Sequence, residues 1–366
     1  MDVRTERLAK LLVGYSVDVQ PGESVAIMAS PLAADLVRGI YEQTLRQGGH
    51  PMVYLELPGV SEIFFRCADE AQLKHINPVE EMVIEEFDAL IKIRSAANTR
   101  ELSDIDPQRQ TIHSQARAPL LRRYMERGAT GELKWSSTLF PTPAYALEAD
   151  MSLRDYEAFV YGACFCDRED PIAAWQEIHE KQARVIAWLE GKQDVKVAGP
   201  NADLTLSIAG RTFINSDGHH NMPSGEVYTG PVEDSANGWV RYTYPAVTGG
   251  RVVEGIELWF EDGKVVKATA KKNETYLHQM LDTDDGARYL GEFAIGTNFG
   301  IQRFTKQILF DEKIGGSFHT AVGAGYPETG SQNRSAIHWD MICDMRDGGE
   351  IWVDGELFYQ NGKFVI

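Results

Sequence analysis

Along the first half of the chain, helical and strand periodicities alternate. In RTERLAKLLVGYS (4–16), Leu8, Leu11 and Leu12 fall on one side of a helix. SVAIMA (24–29) is an apolar run of strand length. AADLVRGIYEQTLRQGG (33–49) returns to the helical period. Leu36, Val37, Ile40, Tyr41, Thr44 and Leu45 share a face, and Gly48–Gly49 end the helix. PMVYLEL (51–57) and ALIKIRS (89–95) read as strands. PQRQTIHSQARAPLLRRYMERG (107–128) reads as a helix with Pro119 as a point of kinking. This rhythm predicts an α/β domain with a mainly parallel sheet flanked by helices.

The texture changes after the helical segment PIAAWQEIHEKQARVIAWLEGK (171–192). DLTLSIAGRTFINSDG alternates and turns at Ala209–Gly210. IELWFEDGKVVKATA is a hairpin around Asp262–Gly263. The last segment carries turn signals at Asp354–Gly355 and Asn361–Gly362. The second half is therefore expected to be α+β and rich in antiparallel strands. The two expected domains are 1–192 and 193–366, in keeping with ~100–200 residues per domain.

Composition narrows the function. Charged residues are 25% and hydrophobic residues 43% of the 366, an ordinary soluble balance. No run reaches the ~18 apolar residues of a membrane span, and the charged opening MDVRTERLAKLL reads as neither signal peptide nor anchor. A net charge of 36 − 54 = −18 argues against nucleic acid as a partner. The turn after SVAIMA, SPLAADL, has neither the dinucleotide-binding fingerprint nor a P-loop. The four cysteines form no dense framework, which fits a reduced, cytoplasmic protein. Cys164 and Cys166 have no second ligand pair at zinc-site spacing and read as small core residues.

Candidate chemistry starts from SAIHWDMI (335–342). As a strand it sends Ile337, Trp339 and Met341 to one face and His338 and Asp340, side by side, to the other. Imidazole and carboxylate at i and i+2 can reach one cation, though such a pair is also an ordinary hydrogen-bonded core pair. A buried aspartate is costly unless paired or coordinated. Glu312, His319, Tyr326 and Glu328 lie upstream in a glycine-rich stretch. Glu292 stands between Leu290 and Phe293, and Glu226 follows a Pro-Ser-Gly turn. Singly these read as exposed groups; together they exceed what one metal needs.

The ordered segments PSGEVYTGP, LGEFAIG, LFDEKIGGSFHTAVGAGYPETG and IHWDMI resemble the thermophilic aminopeptidase family of metallopeptidases, the aminopeptidase T and aminopeptidase S type. The opening LLVGYSVDVQPGESVAIMASPLAADLVRGIYEQ is similar to that family's start, so the resemblance spans almost the whole chain. It implies an exopeptidase that removes N-terminal amino acids by water activated between two divalent metal ions, zinc, cobalt or manganese. Glu226, Glu292, His319, His338 and Asp340 match its ligands, with Glu292 as the expected bridge. Glu312 is the candidate for a further acidic ligand. It lies 319 − 312 = 7 residues before the histidine, longer than the family's shorter form, and Glu328 is the alternative. Tyr326 matches the family's tyrosine and is the expected oxyanion donor. His338 is either a direct ligand or an orienter of one. The implied partners are peptides with a free N-terminus and a second copy in a homodimer. Two other readings are open to these residues: a single-iron ring-cleaving dioxygenase using His319, His338 and Asp340, and a non-catalytic binding protein. Glu226 and Glu292 are superfluous to the first, and the retained ligands and Tyr326 speak against the second.

Overall fold

The computed structural model describes residues 2–248 and 250–366. The chain packs as two compact units, Met1–Ala174 with Gly218–Pro223, and Trp175–Asp217 with Ser224–Ile366. The change of unit falls inside the helix Pro171–Leu189.

The first unit holds a five-stranded sheet in the order 50–55, 24–29, 89–94, 134–139, 221–222. Every pairing in it is parallel. Val25, Ala26 and Ile27 are fully buried, as expected of a parallel strand covered on both faces. The helix Ala34–Arg46 buries Leu36, Val37, Ile40 and Thr44. Its apolar stripe is narrower than the sequence suggests, because Tyr41 and Leu45 stay exposed on its flank. The helix Pro107–Ala129 runs through Pro119. Cys164 and Cys166 are buried free thiols, consistent with small core residues.

The second unit is antiparallel. Eight strands follow the order 264–269, 257–261, 237–241, 202–207, 194–199, 350–353, 356–360, 363–364. Its hairpins at Asp262–Gly263, Asp354–Gly355 and Asn361–Gly362 have positive φ at both turn residues, the conformation for which Asx-Gly is selected. A further sheet has the order 338–344, 317–323, 290–296, 226–229, 214–216. One of its faces is core: Val227, Phe293, Ile295, Phe318, Val322, Trp339, Met341 and Cys343 all join one apolar cluster. The α/β unit and antiparallel-rich unit match the expected fold class. No helix among the described residues is long and apolar enough to cross a membrane.

Candidate metal centre

The other face of that five-stranded sheet gathers the polar candidates. Directly paired residues on adjacent strands share a face, so the register identifies the set. Glu226 opposes Gly296 and Tyr228 opposes Ala294. His319 opposes Ala294, and Glu292 opposes Ala321. Asp340 opposes Ala321, and His338 opposes Gly323. Each of these glutamates and histidines, and the aspartate, thus has a glycine or alanine opposite it on one side, while Ile342 and Ser216 stand on the other side of His319 and Glu226. The small partners leave room for the long side chains to converge above them.

Glu292 reaches this face through an irregularity. Leu290 pairs with Val322, on the core side, yet Glu292 pairs with Ala321, on the opposite side. Two residues of one strand span one residue of its neighbour, so Gly291 is the extra residue of a bulge. Strict alternation would have put Glu292 on the face of Leu290. A Cβ on Gly291 would run into the carbonyl oxygens of Gly323 and Ala324, which explains the glycine.

Glu226, Glu292 and His319 are buried, and His338 is the most accessible of the group, its side chain 26% exposed. His319 Nε2 lies 3.5 Å from Glu226 Oε2 and 3.5 Å from Glu292 Oε1. His338 Nε2 lies 3.1 Å from Glu292 Oε2 and 3.4 Å from Asp340 Oδ1. Glu292 therefore turns one oxygen to each histidine. Two groups of potential ligands result, Glu226–Glu292–His319 and Glu292–His338–Asp340, each with its donor atoms within 4.8 Å of one another. His338 Nδ1 donates to the Ala324 carbonyl at 2.7 Å, which fixes the tautomer and leaves Nε2 to the carboxylates.

The electrostatics are those of carboxylates and imidazoles crowded into a buried site. Burial would raise the Glu292 carboxyl, but hydrogen bonds to His319 and His338 outweigh it and hold the group down at about 2. Burial would lower His319, and the hydrogen bond to Glu292 with the nearby carboxylates lifts it to about 9. His338 is likewise raised well above 6.5, against burial, by Asp340 and Glu292. Glu226 Oε2, His319 Nδ1 and Asp340 Oδ1 are buried without a hydrogen-bond partner. Unmet polar atoms in a buried site are costly. Oxygen and imidazole donors at this spacing fit a divalent metal.

The remaining candidates divide. Tyr326 stands at the rim, its ring 5.1 Å from His338 edge-on and 5.4 Å from Tyr228. Glu312 lies beside the cluster but outside both ligand groups, in contact with Lys313. Glu328 is exposed on the turn Pro327–Thr329 and also lies outside both groups. Three neighbours escaped the sequence reading. Tyr228 was deducible by alternation from Glu226. Gln182, on the helix Pro171–Leu189, donates to the Glu226 carbonyl and has no local signal. Lys313, fully buried, contacts both Glu226 and Glu312; in sequence its Glu-Lys neighbourhood looks like a solvated pair.

The family model described as Thermophilic metalloprotease (M29) matches residues 1–364. The chain belongs to this metalloprotease family. Among M29-like relatives, aminopeptidase 2 of Geobacillus stearothermophilus is 32% identical, over 93% of this chain and 92% of its own. Aminopeptidase T of Thermus thermophilus is 27% identical, over 98% and 95%. The solved structure of wild-type AmpT from Thermus thermophilus superposes with a TM-score of 0.87 at 24% identity, covering 99% of both chains. The M29 assignment makes the chain a metal-dependent peptidase. The dioxygenase and binding-protein readings draw no support from these likenesses.

The bulge makes a direct prediction. Gly291→Ala should displace Glu292 from the shared position, with a stability loss of ~1–3 kcal/mol as the strand shifts. Metal content per chain and thermal unfolding measure both effects. A variant that binds metal and melts like the parent would show that the bulge does not set Glu292.

Proposed function

We propose that this metallo-aminopeptidase holds two divalent cations, with Glu226, Glu292 and His319 as ligands of one and Glu292, His338 and Asp340 as ligands of the other. The observation that supports this reading is the sharing of Glu292, whose two oxygens face the two histidines separately. A carboxylate between two cations offsets their repulsion. When bound there, such cations would supply polarisation of an amide carbonyl and a water acidic enough to act as nucleophile at neutral pH.

The chain's own residues supply orientation and hydrogen bonds. The Ala324 carbonyl fixes the His338 ring, so His338 acts as an oriented ligand. Glu292 stays ionised at any working pH. Burial raises the Tyr326 phenol well above 10, so it remains a protonated donor. At the rim beside His338 it can donate to the oxyanion of the tetrahedral adduct. A peptide's free α-amine, as an unprotonated lone-pair donor, would bind a cation held there, so the amine serves as the anchor and cleavage falls at the N-terminus. The reading extends to zinc, cobalt or manganese as the metals, to a cytoplasmic location and to a homodimer. Peptides with a free N-terminus are the substrates; nucleic acid and membranes are not partners.

Three measurements test this function. Chelation should abolish cleavage of leucine p-nitroanilide, Zn²⁺, Co²⁺ or Mn²⁺ should restore it, and N-acetylation of the substrate should prevent turnover. Activity in verified metal-free protein, or equal rates on the acetylated substrate, would overturn the assignment.

Tyr326→Phe should lower kcat by on the order of 10²–10³, the range for one oxyanion donor, with KM and metal content nearly unchanged. Near-parental kcat would remove Tyr326 from the mechanism.

The third concerns pH. In the metal-free protein His319 is raised from 6.5 to about 9. Its ion pairs therefore contribute stability that is complete below about 6.5 and lost as pH rises through about 9. Cations must displace the same proton, so their affinity rises over that interval. The difference in Tm between metal-loaded and chelator-treated protein should widen from pH 6.5 to 9. A constant or shrinking difference would contradict the ligand role of His319.

A further inference from the structure

A lysine with no exposed surface is unusual, because burying an ammonium costs several kcal/mol unless it is paired. Lys313 is 0% exposed, and its Nζ lies 3.5 Å from Glu226 Oε1 and in direct contact with Glu312 Oε1. The other oxygen of Glu226, Oε2, is the one facing His319, and it has no hydrogen-bond partner. The two oxygens of Glu226 thus have separate tasks. The backbone holds this arrangement in place. The Asn298 N–H donates to the Lys313 carbonyl at 3.1 Å, and Asn298 Nδ2 donates to the Ser224 carbonyl at 2.9 Å. One asparagine therefore ties the segment carrying the lysine to the turn that enters Glu226.

We propose that Lys313 is a positioning residue, a built-in cation that occupies Glu312 and one oxygen of Glu226, so that Glu226 offers the metals a single oxygen and Glu312 offers none. The inference rests on the two-cation reading above. Its physical basis is charge compensation. Glu226, Glu292, Glu312 and Asp340 converge in a buried space, and one ammonium offsets part of their repulsion when metals are absent. The same ammonium repels a divalent cation and withholds from it the Glu312 carboxylate and one oxygen of Glu226, which keeps metal affinity below what the four carboxylates would otherwise give.

Two variants separate this role from simple packing. Lys313→Met keeps length and removes the charge. Its metal-free form should melt below the parent's, while Zn²⁺ affinity, measured by competition with a chromogenic chelator, should tighten roughly tenfold or more. A lysine that merely packs would, on loss, leave affinity unchanged or weaken it, and either result overturns the proposal. Glu312→Gln should retain the parent's number of zinc ions per chain by elemental analysis. Loss of one ion would identify Glu312 as a ligand and also overturn it. If Lys313→Met does not fold with or without zinc, Glu312→Gln decides alone on the same criterion. A parent protein that binds no stoichiometric zinc removes the two-cation reading and this inference together. A parent that binds zinc, with a Lys313→Met affinity that does not tighten, removes only the inference.

Discussion

Carboxylates repel one another, and this chain brings Glu226, Glu292 and Asp340 onto one face of one sheet, with Glu312 beside them. At an effective dielectric constant of ~20, two unit charges ~4 Å apart interact by ~4 kcal/mol, a substantial part of the ~5–15 kcal/mol that stabilises a typical domain. The local architecture is arranged around that repulsion. His319 and His338 stand between the carboxylates and are held protonated by them. Lys313 is buried against Glu226 and Glu312. The oxygens of Glu226 and Asp340 that face these histidines, at 3.5 and 3.4 Å, accept no hydrogen bond within the protein, and they are the ones the two-cation proposal gives to metal.

The apolar side of the same sheet makes such a polar face affordable. Phe293, Ile295, Phe318, Val322, Trp339 and Met341 lock the strands into register from behind. A slip of one residue would drive His319 and Asp340 into that core, so register and site geometry are specified by the same packing. The alanines and glycines opposite each polar residue are the complement of this arrangement. They give up apolar area on the site face in exchange for space.

How much of this is legible in the sequence depends on whether the signal is local. The Asx-Gly hairpins at 262–263, 354–355 and 361–362 are legible because the turn itself demands those residues. His338 and Asp340 are legible because strand alternation and an apolar back face occur within eight residues. Glu292 is not legible from alternation. Counting from Leu290 places it in the core, and only the bulge at Gly291 corrects the parity; its expected role came from resemblance. Lys313 is invisible for the opposite reason, since a lysine next to a glutamate has an obvious solvated interpretation. Tyr41 and Leu45 show the converse error, where periodicity on a helix overstated the width of the face that packs.

The central claim is that Glu292 stands between two cations. Anomalous diffraction from crystals grown with zinc, recorded above and below the zinc edge, tests it most directly. The expected result is two zinc peaks per chain, one beside Glu226 and His319, the other beside His338 and Asp340, with a different Glu292 oxygen directed at each. A single peak, or two peaks that do not share Glu292, would contradict it.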